Sequence, residues 1–491
     1  MGTHLSATVT EGRAFMQVID GRQADALSGK RIDVFCPSDG KAFASIPAAG
    51  RSDVDLAVTA ARRAFDEGPW SRMSAIERGR CLTRLFQLVE KHGDELAALE
   101  SRDTGKPIRQ GKADVLGAMR YYEFYGGACD KVHGDTIPFL DGYTALTLRE
   151  PHGVVAGIIP WNYPLQILGR VAGAALAMGN TLVVKPSEDA SLTSIRIAEL
   201  ALEAGFPEGV FNVVTGYGSD AGAALSAHPL VDYVTFTGSP LTGTAIQQAA
   251  ALNNRGVTME LGGKSPQIVF ADADIDAALP VLVNAIIQNG GQTCSAGSRV
   301  LIERPIYEEV ASKLAERFSK LVAGPHEADL DLGALINPKQ RERVRSMVAA
   351  AREAGVAVLA EGAIHPDALR EGYYHRPVLF GSVDPSAEIA REEVFGPVLA
   401  LFPFESEEEA VRLANGTEFG LVAGVWTRDG ARQHRVAKRV RAGQVFVNSY
   451  GAGGGIELPF GGFKKSGHGR EKGFEALYDM SATKTIVFNH G

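Results

Sequence analysis

The sequence of 491 residues is poor in cysteine, in long apolar runs and in clustered positive charge. Its four cysteines include no CxxC pair, so neither a disulfide framework nor a metal site is predicted. No stretch of about 18 uncharged apolar residues is present, and the N-terminus lacks the pattern of a secretion signal. The formal net charge of −8 argues against nucleic acid and anionic membranes as partners. We therefore expect a soluble cytoplasmic protein.

The composition and the length are those of a multidomain globular protein. Hydrophobic residues make up 45 % of the chain and charged residues 22 %, which excludes the disordered and fibrous classes. A chain of this length exceeds one compact core, so two or three domains are expected. Helical periodicity over residues 53–65 and 75–100 predicts helices that cover one of these cores.

Short apolar strands alternate with helical segments between residues 153 and 263. The predicted strands are GVVAGII, TLVVKP, GVFNVVTG, YVTFTG and GVTMELGG. This alternation predicts an α/β fold with a parallel sheet that binds ligands at the carboxyl ends of its strands. A second α/β pattern begins at Ser265 and predicts a second domain. The tail strand TKTIVF is expected to pair with the earlier hairpin segment YTALTLRE or with a neighbouring subunit.

Polar residues follow the ends of three predicted strands. Asn162 in IIPWNYP has a neutral amide that suits an oxyanion, although it also fits a turn asparagine. In VVKPSED, Lys185 can reach polar oxygens of a ligand and Glu188 suits ribose hydroxyls; the structural alternative is a solvated lysine and a helix cap made by Ser187. Glu260 ends an apolar strand, where loss of hydration would raise its pKa as a general base requires. A buried glutamate with a satisfied partner is the structural alternative.

Three glycine-containing turns carry the remaining candidates. Gly238 and Ser239 in FTGSPLTG precede a predicted helix, whose exposed amides suit a pyrophosphate, although the spacing departs from GxGxxG. Glu393 and Phe395 in EEVFGP suit sugar hydroxyls and a flat ring. Cys294 lies in GGQTCSAG, where it is either a reactive thiol or a packed one.

Seven motifs together resemble the aldehyde dehydrogenase superfamily over essentially the whole chain. In chain order they are PWNYP, KPSE, FTGS, MELGGKSP, GGQTCSAG, EEVFGP and PFGGFKKSG. The resemblance implies a Rossmann-like NAD-binding domain formed by residues 1–128 and 149–261 and an α/β catalytic domain formed by residues 262–465. It also implies a small β oligomerisation element, formed by residues 129–148 and 466–491, in a homodimer or homotetramer.

The same resemblance implies a role for each matching residue. Cys294 is the expected nucleophile, Glu260 the general base, and Asn162 with the backbone N–H of Cys294 the oxyanion hole. The reaction implied is oxidation of an aldehyde to a carboxylic acid through a thiohemiacetal and a thioester. NAD is expected rather than NADP, because the charge of Glu188 repels a 2′-phosphate. The residues expected to line the cofactor site are Ile159, Trp161, Lys185, Glu188, Gly238, Ser239, Gln340, Glu393 and Phe395.

Substrate residues are less sharply indicated. Arg170 lies where semialdehyde-oxidising relatives have a carboxylate-binding arginine, but Gln288 replaces the second arginine of that pattern. Arg170 is therefore either a substrate residue or one paired structurally. Tyr163 is a second candidate substrate residue, and residues 453–457 are expected to shape the entrance.

Two other functions are consistent with parts of the pattern. A thioester hydrolase would use Cys294 and Glu260 without a cofactor. A structural or binding protein would keep the fold without the catalytic activity. Some members of the family that serve as lens proteins are of this kind. The joint presence of Cys294, Glu260 and Asn162 argues against the second alternative, since the loss of any one would lower the rate by orders of magnitude.

Overall fold

The computed structural model describes residues 12–451 and 455–491. Residues 12–151 contain four α-helices and seven strands. Its elements are β1 (Arg13–Ala14), β2 (Gln17–Ile19), β3 (Arg22–Ala24), β4 (Arg31–Phe35), β5 (Ala42–Pro47), α1 (Arg51–Asp66), α2 (Ala75–Lys91), α3 (Gly93–Thr104), α4 (Ile108–Ala128), β6 (Thr136–Ile137) and β7 (Tyr143–Pro151). The helix predicted over residues 75–100 is two helices, α2 and α3, because the backbone leaves the helical region at His92.

The five strands predicted between residues 153 and 263 are all present. In chain order this region contains β8 (Val154–Ile159), α5 (Pro164–Ala177), β9 (Thr181–Pro186), α6 (Leu192–Glu203), β10 (Phe211–Val213), α7 (Ala223–Ser226), β11 (Tyr233–Thr237), α8 (Pro240–Ala251) and β12 (Gly256–Glu260). These strands run parallel in the order β12-β11-β8-β9-β10, and β2 and β3 extend the sheet beyond β10. The strand order reverses at β8, so a crevice for a ligand is expected beside the carboxyl ends of β8 and β11.

A second sheet of seven strands follows. Its region contains β13 (Pro266–Val269), α9 (Ile275–Ile287), β14 (Arg299–Glu303), α10 (Tyr307–Phe318), β15 (Val322–Ala323), α11 (Pro338–Glu353), β16 (Ala357–Glu361), β17 (Ala363–Ile364), β18 (Val378–Gly381), α12 (Glu388–Arg391), β19 (Val398–Phe404), α13 (Glu407–Ala414), β20 (Val422–Trp426), α14 (Gly430–Arg439) and β21 (Gln444–Val447). The strand order is β16-β18-β19-β14-β13-β20-β21. Among the described strands of this sheet, β16 alone runs antiparallel to its neighbour, β18. The second α/β pattern is therefore confirmed.

The tail returns to the first sheet before it leaves again. It contains β22 (Gly467–His468), α15 (Glu475–Asp479) and β23 (Ser481–Asn489). β22 pairs with β12, which brings the residues after it close to Glu260. β23 pairs with β7 along its whole length in a separate sheet of order β23-β7-β6, which confirms the predicted pairing of TKTIVF with the earlier hairpin segment.

In the two described ranges of the chain, every helix is too short or too polar to cross a bilayer.

Candidate active site

The Cys294 loop, residues 288–298, connects α9 to β14. It turns through left-handed backbone conformations, with φ of 50° at Asn289, 62° at Gly290 and 75° at Gly291. A Cβ at Gly291 would lie 2.1 Å from the carbonyl oxygen of Gly396, so only glycine allows this close approach. The loop thus presents Cys294 partly exposed, whereas the other three cysteines are buried.

The thiol of Cys294 lies in a poorly hydrated environment. Burial raises its pKa to about 12, the positive charge of Arg170 lowers it, and the negative charge of Glu260 raises it. The thiol is therefore protonated at neutral pH in this structure. A nucleophilic Cys294 must pass its proton to another group before it attacks.

Asn162 follows β8 and contacts the Cys294 loop. Its side-chain amide donates to the carbonyl oxygen of Gln292 at 3.0 Å. Within the described part of the chain, its side-chain carbonyl oxygen is buried without a hydrogen-bond partner. The structure thereby brings the predicted oxyanion donor and the predicted nucleophile together from two different sheets.

Lys106, which sequence reasoning did not single out, holds the backbone of Asn162. Its ammonium donates to the carbonyl oxygen of Asn162 at 3.0 Å, and Asn289 donates to the same oxygen at 2.8 Å. Lys106 is buried between the carboxylates of Glu100 and Asp114. In the sequence it is one lysine before a proline, between two helices, so no periodicity marks it.

Glu260 is the last residue of β12, and only 1 % of it is exposed. Among the described residues, neither of its carboxylate oxygens has a hydrogen-bond partner. Burial raises its pKa well above the usual range, the charge of Glu471 raises it further, and Arg170 opposes the shift. The expected loss of hydration at this position is confirmed, and the alternative of a satisfied buried partner is not observed.

Arg170 lies on α5 and is buried against a carboxylate of the same chain. It forms an ion pair with Glu471 and donates to the hydroxyl of Thr237 at 3.2 Å. Glu471 follows β22 and also accepts a hydrogen bond from Thr235 at 3.0 Å. These contacts favour the structurally paired arginine that the sequence left open, because the guanidinium is already neutralised.

Tyr163 contacts the Cys294 loop through its hydroxyl. The hydroxyl oxygen lies 2.8 Å from the hydroxyl oxygen of Thr293, the residue before Cys294. The ammonium of Lys106 lies 4.6 Å from the centre of the Tyr163 ring. Tyr163 therefore stabilises the loop, whatever contact it makes with a substrate.

Lys185 and Glu188 lie together at the carboxyl end of β9. The ammonium of Lys185 donates to the carboxylate of Glu188 at 3.0 Å. A Cβ at Gly218 would lie 4.0 Å from the Lys185 ammonium, and one at Gly222 would lie 3.6 Å from its side chain. Because both neighbours are glycines, space remains beside a cation and an anion that suit the hydroxyls of a ribose.

Gly238 and Ser239 join β11 to the first turn of α8. The hydroxyl of Ser239 accepts from the backbone N–H of Thr242 at 3.2 Å, so Ser239 caps this helix. Ile159 ends β8 on the neighbouring strand and is buried. The N-terminus of α8 carries the positive end of the helix dipole, which suits a pyrophosphate, so these residues fit a dinucleotide.

The EEVFGP segment, residues 392–397, contributes from the second sheet. The carboxylate of Glu393 accepts from the backbone N–H of Gly263 at 2.8 Å, and burial raises its pKa to about 7. The ring of Phe395 meets the ring of Trp161 edge-on, with centroids 5.4 Å apart. Gln340 on α11 donates to the carbonyl oxygen of Phe395 at 2.7 Å, so it positions this segment.

An apolar wall beside Cys294 was also missed by sequence reasoning. Phe446 and Tyr450 pack with Cys294 against buried Phe460 in one small cluster. The hydroxyl of Tyr450 donates to the carbonyl oxygen of Ser295 at 2.6 Å. Residues 452–454 lie outside the described residues, so of the predicted entrance, residues 453–457, only residues 455–457 are described.

Over residues 12–451 and 455–491, no group of three His, Cys, Asp or Glu side chains is placed to hold a metal ion.

Comparison with known proteins covers nearly the whole chain. A family model described as the aldehyde dehydrogenase family matches residues 24–486. A crystal structure of a Burkholderia cenocepacia protein assigned as an aldehyde dehydrogenase is 59 % identical, covers 97 % of this chain and 100 % of its own, and has a TM-score of 0.96. An NAD-dependent aldehyde dehydrogenase from Sinorhizobium meliloti is 41 % identical over 100 % and 97 % of the two chains, with a TM-score of 0.96. An aldehyde dehydrogenase from Emericella nidulans is 42 % identical over 96 % and 95 %.

Proposed function

The chain belongs to the aldehyde dehydrogenase family, and we propose that it oxidises an uncharged aldehyde to a carboxylic acid with NAD as hydride acceptor. One observation carries the assignment of its catalytic residues. A partly exposed thiol, Cys294, shares one site with the unpartnered carboxylate of Glu260 and the amide of Asn162. A Cβ at Gly263, three residues after Glu260, would lie 2.3 Å from the carbonyl oxygen of Cys294, so these segments are in contact.

Cys294 forms the first covalent bond in the proposed reaction. The thiol loses its proton, and the thiolate sulfur attacks the carbonyl carbon of the aldehyde. The carbonyl oxygen then carries negative charge, which the side-chain amide of Asn162 stabilises together with the backbone N–H of Cys294. Donors of this kind lower the barrier by about 3 to 4 kcal/mol in other acyl-transfer enzymes.

Glu260 completes the turnover. When bound, NAD supplies the acceptor for the hydride that leaves the thiohemiacetal, so that a thioester remains on Cys294. The carboxylate of Glu260 takes a proton from water, and the resulting hydroxide attacks the thioester carbonyl. The carbon–sulfur bond then breaks, which releases the carboxylic acid and frees Cys294.

We propose NAD rather than NADP as the preferred cofactor. Lys185 and Glu188 would hold one ribose of the dinucleotide, and Gly238 and Ser239 would hold its pyrophosphate. The other nucleoside would be held by Glu393, Phe395 and Gln340. The negative charge of Glu188 would repel a 2′-phosphate, although Lys185 beside it offsets part of that charge. A kcat/KM with NADP that equals or exceeds the value with NAD would contradict this preference.

We propose an uncharged substrate because of what lies beside Cys294. Phe446, Tyr450 and Phe460 offer apolar and aromatic surface to the part of the aldehyde that does not react. The alternative, a semialdehyde, needs a cation for its carboxylate, and Arg170 already pairs with Glu471. Aromatic and aliphatic aldehydes are therefore the favoured substrate classes.

The test is NADH production across a panel of aliphatic, aromatic, amino and carboxylated aldehydes. We expect turnover of uncharged aldehydes that Cys294→Ala abolishes, whereas Cys81→Ala, which changes a buried thiol, retains it. Activity that persists in Cys294→Ala would overturn the mechanism. Thioester hydrolysis without NAD, together with no NADH from any aldehyde, would select the hydrolase alternative.

We further propose a cytoplasmic homodimer or homotetramer. The sheet β23-β7-β6 leaves Phe139, Leu140 and Phe488 more than half exposed, which is apolar surface that a second copy could cover. All four cysteines are free thiols, as suits a reducing compartment. Light scattering coupled to size-exclusion chromatography checks the assembly, and a monomer would contradict it.

A further inference from the structure

A groove with a concentration of arginines lies along α11, the helix that also carries Gln340. Arg341, Arg345 and Arg352 project from one face of this helix, because their spacing of four and seven residues matches its turns. The opposite wall is formed by the segment between β17 and β18, which contributes Arg370 and Arg376. The groove has a volume of about 520 Å³.

The charges of this groove are unbalanced. Five arginines line it, whereas Glu361 is its one acidic lining residue and already pairs with Arg352; Arg345 pairs with exposed Glu342 on the same helix, at 3.8 Å. Considering the ranges that the structure describes, neither Arg370 nor Arg376 forms an ion pair. The chain as a whole carries a formal charge of −8, so this local excess of positive charge does not follow from composition.

His375, which also lines the groove, responds to that charge. Burial lowers its pKa, and the positive charges of Arg345, Arg352 and Arg376 lower it further. The ring is therefore neutral near pH 7, and the arginines supply the positive potential of the groove. Arg341 is also incompletely paired, because its Nε is buried and has no hydrogen-bond partner in the described structure.

Apolar residues share the groove with the arginines. Ile364 at the end of β17 and Leu369 on the opposite wall contribute exposed apolar surface, whereas Val348 and Val378 are buried beneath the groove. Tyr374 adds an aromatic ring. A ligand with adjacent anionic groups and an attached organic part matches this combination better than a simple anion.

We propose that the groove binds a ligand with two or more adjacent phosphates, such as a nucleoside triphosphate. Arginine guanidinium groups pair with phosphate oxygens through two parallel hydrogen bonds, so several arginines in one groove suit a phosphate chain. The volume lies within the range of roughly 300 to 1,000 Å³ that is usual for small-molecule sites. This site is separate from the aldehyde site and does not depend on the reaction proposed above.

The helix α11 also contacts the cofactor segment, which shapes the design of the test. Gln340 donates to the carbonyl oxygen of Phe395 at 2.7 Å, and Arg343 donates to that of Glu393 at 2.7 Å. A nucleotide probe could therefore occupy the neighbouring cofactor site instead of the groove. Saturating NAD must be present throughout, so that the cofactor site is filled.

Calorimetric titration of the full-length protein tests the proposal, with ATP and inorganic tripolyphosphate as probes at about 0.1 M salt. We expect saturable binding that weakens at least about tenfold in the double variant Arg370→Glu/Arg376→Glu. Arg22→Glu is the matched control, since Arg22 is equally an exposed arginine but lies on β3, outside the groove. It is expected to bind both probes as the unmodified protein does.

The two probes distinguish the sources of the phosphate chain. Tighter binding of ATP would assign the apolar lining to the organic part of a nucleotide, and equal binding would show that phosphates alone are recognised. Either result supports the proposal if the double variant loses affinity. No saturable binding of either probe, or unchanged affinity in the double variant, would overturn it.

Discussion

Two clusters of buried charges contact the active site, and they differ in how completely their polar atoms are paired. The Lys106 cluster consists of Lys106, Glu100 and Asp114 and is satisfied. Its ammonium contacts both carboxylates and the carbonyl oxygen of Asn162. Each carboxylate also accepts from a further side chain, Glu100 from Thr193 at 2.9 Å and Asp114 from Gln166.

The Arg170 cluster consists of Arg170, Glu471 and Glu260 and is incompletely paired. Arg170 pairs with Glu471, but both oxygens of Glu260 are buried without a hydrogen-bond partner in the described part of the molecule. An unpaired buried carboxylate costs stability, so it is retained where chemistry uses it. A satisfied cluster instead stabilises one arrangement of the backbone. We therefore infer that the Lys106 cluster fixes the backbone geometry of the site and that the Arg170 cluster serves proton transfer.

Glu260→Gln is the sharpest test of this division. We expect kcat to fall by about 10²- to 10⁴-fold, because the amide cannot accept a proton from water. The thermal unfolding midpoint should stay the same or rise, because a neutral amide of the same shape replaces an unpaired carboxyl group. Steady-state NADH production and thermal denaturation measure the two effects. Exposed Glu475→Gln on α15 is the control, and a wild-type kcat in Glu260→Gln would mean that another group is the base.

Lys106→Met is expected to have the opposite signature. Removal of the cation leaves two buried carboxylates unpaired, which costs about 3 to 5 kcal/mol of stability. It also removes one hydrogen bond from the backbone of Asn162, so kcat should fall as well. Denaturant unfolding checks the stability. Arg304→Met is the control, because it breaks an exposed ion pair with Glu405 and should cost no more than about 1 kcal/mol. Equal losses of unfolding free energy in Lys106→Met and Arg304→Met would contradict the structural role of the Lys106 cluster.

The pH dependence of kcat/KM follows from the second cluster. The pKa values of Cys294 and Glu260 are both raised, and each group acts in its deprotonated form. A raised pKa leaves the inactive, protonated form dominant at low pH, so the rate should increase with pH. We expect an increase of up to about tenfold per pH unit between about pH 6 and about pH 9. A flat or falling profile would contradict the assigned roles.

Of the predicted effects on activity, that of Arg170→Ala should be the smallest. Arg170 lowers the pKa of both Cys294 and Glu260, so its removal should shift the rising limb to higher pH and lower kcat/KM at neutral pH about tenfold. The KM for succinate semialdehyde relative to butanal should not change, because Arg170 pairs with Glu471 rather than with substrate.

The double variant Arg170→Met/Glu471→Gln is the control for that experiment. It removes both charges of the pair, so the pH profile should lie closer to that of the unmodified enzyme. A selective rise in KM for the semialdehyde in Arg170→Ala would instead restore the carboxylate-binding role.

The predicted parallel sheet and the observed one agree because near-continuous apolar strands have few other stable arrangements. Each of GVVAGII, TLVVKP and YVTFTG is bounded by turn residues, and each is a buried strand here. β18 was not predicted, and its length does not explain this, since β10 has three residues and lies within a predicted strand. The break between α2 and α3 was also missed, since the apolar spacing continues across His92.

The sequence by itself determined the α/β class and the strand ends, and it predicted Cys294, Glu260 and Asn162 as the catalytic residues, since these depend on local pattern and motif order. Only the tertiary structure decided how their charges are balanced. Lys106 meets Asn162 across 56 positions, and Arg170 meets Glu471 across the return of the chain from β22. A pairing between distant residues leaves no trace in local spacing. The partners and the burial of Lys106, Arg170 and Glu260 therefore follow only from the tertiary arrangement of the sheets and the tail.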